Sequence, residues 1–163
     1  MRDLFHTAHV NAALNHAITY GTAVSLISKS PKYSEAPLGV IAQFINSAIE
    51  LRQIQIQYDS DQLPTGFIIW GWLSPFTMST RYKQGAYSLP LAEWNEGEQL
   101  CILEAISSKN NIAELIDEFL CKIAKNEKHF FTYPMMHNNK SAIFTKWKHD
   151  ESKKLIKFLE DQL

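Results

Sequence analysis

With 163 residues, of which 45% are hydrophobic, 12% aromatic and 20% charged, the chain has the makeup of one ordinary globular domain spanning residues 1–163, which excludes disordered, collagen-like and coiled-coil architectures. Sixteen Lys and Arg against 17 Asp and Glu leave a formal charge of -1, so no global electrostatic footprint points to nucleic acid or to a polybasic membrane anchor. No apolar run approaches the ~20 residues of a membrane span. The N-terminal stretch MRDLFHTAHVNAALNHA carries polar and imidazole groups where a signal peptide is apolar, and the expectation is a cytoplasmic protein. Cys101 and Cys121 both sit in hydrophobic stretches and read as small core residues.

In chain order, residues 8–28 are rich in Ala and in apolar residues at helical spacing, with Gly21 as a break into two short helices. After Ser30-Pro31 the helical pattern returns over 38–50, where Val40, Phe44, Ser47 and Ala48 share a face. Residues 51–58 alternate, with Leu51, Gln53, Gln55 and Gln57 on one side and Arg52, Ile54, Ile56 and Tyr58 on the other, as a half-buried strand does. The turn residues 59–66 lead to the run 67–74, apolar on both faces, and the two strands predict an antiparallel hairpin. Gly71, between Trp70 and Trp72, marks a bulge or a close approach of the backbone to another group.

Residues 75–90 are irregular, 93–97 form a turn and 100–106 form an apolar strand. Ser107 to Asn111 cap a helix over 112–125, in which Ile112, Leu115, Ile116, Phe119, Leu120 and Ile123 follow the helical period. Short strands at 129–134 and 141–147 and a helix at 151–162 complete the chain. The fold class predicted is α/β or α+β, with helices on a mostly antiparallel or mixed sheet of about five strands.

No glycine-rich phosphate loop, nucleophile elbow or pair of CxxC motifs occurs, which removes NTPases, α/β-hydrolases and zinc ribbons. His6, His9 and His16 share a helical spacing, but no carboxylate lies between them to complete a ligand set, and no metal is expected. His129, His137 and His149 have Lys or Asn neighbours and read as solvent-exposed.

Four segments, taken in order, resemble one family. They are residues 21–33, ending in Ser30-Pro31-Lys32-Tyr33; Ala48-Ile49 with Gln53; Tyr58-Asp59 followed by Pro64-Thr65-Gly66 and the run through Trp70-Gly71-Trp72 to Ser74; and Glu93-Trp94-Asn95-Glu96-Gly97. Together they resemble the toxin-activating lysine acyltransferases, which attach fatty acyl chains to internal lysines of RTX toxins, over about residues 14–125. The resemblance implies a GNAT-like fold, a cytoplasmic enzyme, acyl-acyl carrier protein as donor with no tightly bound cofactor, a secreted toxin-like protein as substrate, and a homodimer. The family's catalytic histidine, two residues after the Ser-Pro pair, is here Tyr33. Its catalytic aspartate, ten residues after the Trp of the acidic turn, is here Glu104, and Ser34 replaces a basic neighbour.

Acyl transfer from a thioester to an amine requires a base, oxyanion stabilisation and a proton for the leaving thiolate. A phenol cannot take the imidazole's place as base near neutral pH. The resemblance then implies Tyr33 as general acid and Glu104 as base, with Ser30, Trp70, Gly71 and Trp72 as donor or substrate contacts. Alternatives remain open at this point: a packing role for Tyr33 and a Glu104 paired with a nearby cation or hydroxyl, in a relative that binds acyl carrier protein, an acyl chain or a partner protein without transfer, or an unrelated interaction domain. An acidic carrier protein would need a local basic patch, for which Lys29 with Lys32, Arg81 with Lys83, and Lys122 with Lys125 are candidates.

Overall fold

A computed structural model describes residues 2–81, 86–107, 111–133 and 144–161, with side chains from Asn11 onward. Helix α1 (Arg2–Ile27) is continuous. Gly21 does not break it, because the residue is exposed with nothing within 4 Å, and the cost of one glycine is spread over a long helix. Helix α2 (Leu38–Glu50) buries Ile41, Phe44, Ile45, Ser47 and Ala48. It ends in a Schellman motif in which Gln53 N–H reaches the Ala48 carbonyl at 2.8 Å and Arg52 N–H the Ile49 carbonyl at 3.0 Å. Arg52 takes the left-handed conformation, φ 56°, that usually falls to glycine, so the strand starts later than the alternation predicts.

The sheet has the order β1 (Ile54–Tyr58), β2 (Pro64–Leu73), β3 (Gln99–Ser107), β4 (Phe130–Thr132) and β5 (Thr145–Trp147). Of these strand pairs β3–β4 is parallel and the others are antiparallel. Five strands in a mixed sheet flanked by helices are the architecture expected, and β1–β2 is the expected hairpin. Its turn is shorter than predicted: Asp59 Oδ1 accepts the N–H groups of Asp61 and Leu63 at 3.0 and 2.9 Å, which leaves Pro64 to Gly66 inside β2.

Two cores flank the sheet. On one face Ala23, Leu26 and Ile27 of α1 and Ile41, Phe44 and Ile45 of α2 pack on Phe67, Ile69, Leu73, Cys101 and Ile106. On the other, helix α4 (Ile112–Lys122) and helix α5 (Ser152–Glu160) cover Ile68, Trp70, Leu100, Ile102 and Ala105. The glutamines of the edge strand are not its solvent side. Gln53 and Gln57 are buried, and Gln57 Nε2 donates to Glu114 of α4 at 3.2 Å.

The irregular stretch expected after Ser74 contains helix α3 (Pro75–Arg81). Ser74 Oγ accepts the Thr77 N–H at 3.0 Å, and Pro75 opens the helix where no N–H is needed. Ser107 does not cap α4 but ends β3, while Asn111 sits at the N-cap without a side-chain capping bond. Cys101 is buried as expected, whereas Cys121 is exposed. His129 and His149 are half-buried rather than exposed, and the His149 ring lies 2.7 Å from the Ala124 carbonyl. His137 and the side chains of His6 and His9 lie outside the described residues, as do residues 134–143 at the ends of the predicted last strands. Among the described residues no helix is long and apolar enough to cross a membrane.

Candidate active site

The acidic-Trp turn fastens β2. Trp94 is fully buried and tilts against Phe44 with ring centroids 5.4 Å apart. Its carbonyl accepts the Trp72 N–H at 2.6 Å, and the Trp72 carbonyl accepts the Gly97 N–H at 3.1 Å. Gly71 is the close approach that the sequence suggested, since a Cβ there would lie 3.0 Å from the Trp94 carbonyl and 3.2 Å from Leu103 Cδ1. No bulge occurs at Gly71. The register slips one step away, where Ile69 faces Glu104 and Trp70 faces Ile102, leaving Leu103 as the extra residue.

That bulge sets the direction of Glu104. Strict alternation would put Ile102, Glu104 and Ile106 on one face. Instead Ile102 packs toward α4 and α5, while Ile106 and the Glu104 carboxylate turn toward the α1 side. There the chain leaves α1 through Ser30-Pro31 into a 3-10 turn, Pro31–Tyr33, closed by Tyr33 N–H to the Ser30 carbonyl at 3.1 Å. This turn buries Tyr33 and keeps Lys32 at the surface.

Three groups meet on the carboxylate. The buried Tyr33 hydroxyl donates to Glu104 Oε2 across 71 residues of sequence, and Lys32 Nζ reaches the same oxygen at 2.6 Å. Ala105 N–H binds Oε1 at 3.0 Å. The Glu104 side chain is 3% exposed and that of Lys32 28%, so the ammonium is the member of the cluster that solvent or a substrate meets first. Burial of an ionised carboxylate is costly unless it is paired, and these donors supply the pairing. Burial above all, and then the Glu104 charge and hydrogen bond, hold the Tyr33 proton far above the ordinary tyrosine value of 10.

The sign of that shift gives a test. The folded chain holds the Tyr33 proton more tightly than the unfolded chain, so its contribution to stability is whole below about pH 10 and is lost as pH rises above it. One such proton changes stability by about 1.4 kcal/mol per pH unit. The stability advantage of the wild type over Tyr33→Phe in urea melts is expected to shrink at that slope above about pH 10. An advantage independent of pH would show that the hydroxyl is not held this way.

A cavity of about 400 Å³ lies between the end of α1, Ser30-Pro31, the start of β2 and the end of β3, and neither Tyr33 nor Glu104 lines it. Ser30 shares the 3-10 turn with Tyr33, and Tyr33 meets Glu104, so the three fall in one region of the molecule. Trp70 and Trp72 do not join them: both side chains pack on the α4 side of the sheet, Trp70 against Phe119 at 6.3 Å. Their backbone N–H groups are taken by the carbonyls of Gln53 and Trp94. In the sequence Lys32 reads only as part of a surface patch and Ser107 only as part of a helix cap. A lysine beside the family's histidine position was the available signal for the first, and nothing in the sequence marked the second.

The fold and the cluster define a small α+β protein in which a lysine-flanked carboxylate and a phenol, far apart in sequence, meet in a buried hydrogen bond. The sequence model of the RTX toxin acyltransferase family, HlyC, matches residues 12–148, and the chain belongs to that family. The match extends further toward the C-terminus than the resemblance read from the four segments. None of the curated protein sequences compared matches the chain significantly.

Proposed function

We propose that this acyltransferase-family chain moves a fatty acyl group from acyl-acyl carrier protein to the ε-amine of a lysine in a toxin-like protein, with Glu104 as base and Tyr33 as proton donor. The observation that carries this reading is the meeting of Tyr33 with Glu104. They occupy the two positions where the family resemblance puts a catalytic histidine and aspartate, and they are bonded to each other.

The chemistry balances on these groups. The neutral amine attacks the thioester carbonyl, forming the C–N bond, and gives a proton to the Glu104 carboxylate as the tetrahedral centre develops. The Lys32 ammonium is the cation nearest this event and can lower the energy of the oxyanion. Protonating Glu104 removes the negative charge that helps hold the Tyr33 proton, which makes the phenol a better acid as the C–S bond breaks. Tyr33 gives its proton to the thiolate and regains one from Glu104. The amine proton thereby ends on sulfur, and the pair returns to its starting state.

Mass spectrometry after incubating the full chain with acyl-acyl carrier protein and an RTX-type polypeptide is expected to find the acyl mass on lysine ε-amines. A stable complex with the carrier protein and no acylated lysine would overturn transfer and leave a binding protein.

A further inference from the structure

The lysine nearest the proposed base belongs to the chain itself. Lys32 Nζ lies 2.6 Å from Glu104 Oε2 and 5.4 Å from the centroid of the Tyr33 ring, so one amine stands against both groups that the transfer uses. The turn that carries it is held by Pro31 and by two bonds, from Tyr33 N–H to the Ser30 carbonyl at 3.1 Å and from Ser34 N–H to the Pro31 carbonyl at 3.2 Å. The Lys32 side chain is 28% exposed and that of Glu104 3%. A reagent arriving from solvent therefore meets the lysine before the carboxylate.

Glu104 has little else to offer an incoming amine. Tyr33 and Lys32 share Oε2, and Oε1 takes the Ala105 N–H. An acceptor ε-amine reaches the base by taking the place of Lys32, which carries the same chemical group. No other lysine among the described residues stands there: Lys122 pairs with Glu118, Lys154 pairs with Glu151, and Lys29 lines a cavity that neither Tyr33 nor Glu104 enters. Well-oriented intramolecular groups reach effective concentrations of about 10⁵ M and above, far beyond any polypeptide in solution.

We propose that Lys32 is itself an acylation site, which the chain modifies when an acyl thioester is bound and no acceptor is present. This modification depends on the acyl-transfer reading of Tyr33 and Glu104. The Lys32 ammonium gives one proton to solvent. The neutral amine attacks the thioester carbonyl, the C–N bond forms and the C–S bond breaks, and a further proton passes from the amine by way of Glu104 and Tyr33 to the thiolate. The product is an amide, which does not pass its acyl group on, so acyl-Lys32 is an end product and not an intermediate. It carries no charge, so Glu104 loses its cation and the acyl chain stands over the base. Self-acylation thereby switches transfer off.

The full chain is incubated with palmitoyl-acyl carrier protein, with and without an RTX-type polypeptide, and its own peptides are mapped by mass spectrometry. Without the polypeptide, the palmitoyl mass is expected on Lys32, at a level about 10²-fold or more above that in Glu104→Gln, the low end of a general base's contribution. Incubation with the donor alone should lower later transfer to the polypeptide in proportion to the share of Lys32 acylated. Lys32→Arg keeps a cation for Glu104, but its guanidinium gives up no proton, so this variant should stay unlabelled and whatever transfer it performs should not fall on preincubation. Label spread evenly over Lys29 and the other lysines, equal label on Lys32 in Glu104→Gln, an unlabelled Lys32, or full transfer by chains already acylated there would each overturn the proposal. If the polypeptide is acylated while Lys32 stays unlabelled, self-acylation fails and the catalytic reading stands. If Lys32 is labelled and the polypeptide is not, the site stands and the toxin-like acceptor fails.

Discussion

Glu104→Gln is expected to slow acyl transfer by about 10²–10⁴-fold, the usual contribution of a positioned general base, in a protein that still folds. The amide keeps the shape of the carboxylate and an oxygen that can accept from Tyr33 or from Ala105 N–H. It loses the ion pair with Lys32, whose side chain is 28% exposed and returns its charge to water. The stability cost should therefore stay at about 1.5–3 kcal/mol, the range for a hydrogen bond to a charged group. Single-turnover rates measured well below the variant's melting temperature separate the two effects, since a purely structural Glu104 would change the melting curve and leave the rate of the folded fraction intact. A variant within a few-fold of the wild-type rate would remove Glu104 from the chemistry, and with it the relay through Tyr33.

The main elements of the fold were legible because their periods are strong. The apolar positions of 112–122 and the two-sided apolar run of β2 fix α4 and the centre of the sheet, and each is buried as the pattern requires. What escaped depends on tertiary detail. The Leu103 bulge reverses the parity of β3 between Ile102 and Glu104, and no propensity marks it. Arg52 ends α2 in a left-handed conformation without a glycine to announce it. Polar Gln55 and Gln57 alternate with the apolar residues of β1, but Gln57 is buried and donates to Glu114 of α4. Only the Ser74-Pro75 start of α3 was a signal present and passed over. At the site, Tyr33 and Glu104 were found through family positions, which say where a pair stands. Lys32 is a partner only because the 3-10 turn places it, and the resemblance assigns Trp70 and Trp72 to the site while the pleat sends both to the other face.

Gly97→Ala is expected to destabilise the protein by about 4 kcal/mol, at the upper end of single-residue effects. The new Cβ would collide with the Leu73 carbonyl and the Ser74 amide nitrogen, which are backbone atoms and cannot rotate aside as a flexible side chain can. Relief requires the turn to move off the end of β2. That movement breaks the Gly97 N–H to Trp72 carbonyl bond of 3.1 Å, strains the 2.6 Å bond from Trp72 N–H to the Trp94 carbonyl, and draws the buried Trp94 ring away from Phe44. Gly21→Ala is the matched control, because nothing lies within 4 Å of that position on α1, and it should stabilise by about 0.5–1 kcal/mol. Urea denaturation of the two variants reads both signs, and a Gly97→Ala midpoint equal to wild type would mean that the turn is not clasped to β2. Gly97 acts on the fold through the end of β2 and has no side chain with which to enter the chemistry at Tyr33 and Glu104. The transfer activity remaining in Gly97→Ala should therefore follow its folded fraction as temperature rises, whereas that of Glu104→Gln should stay low while the protein is fully folded.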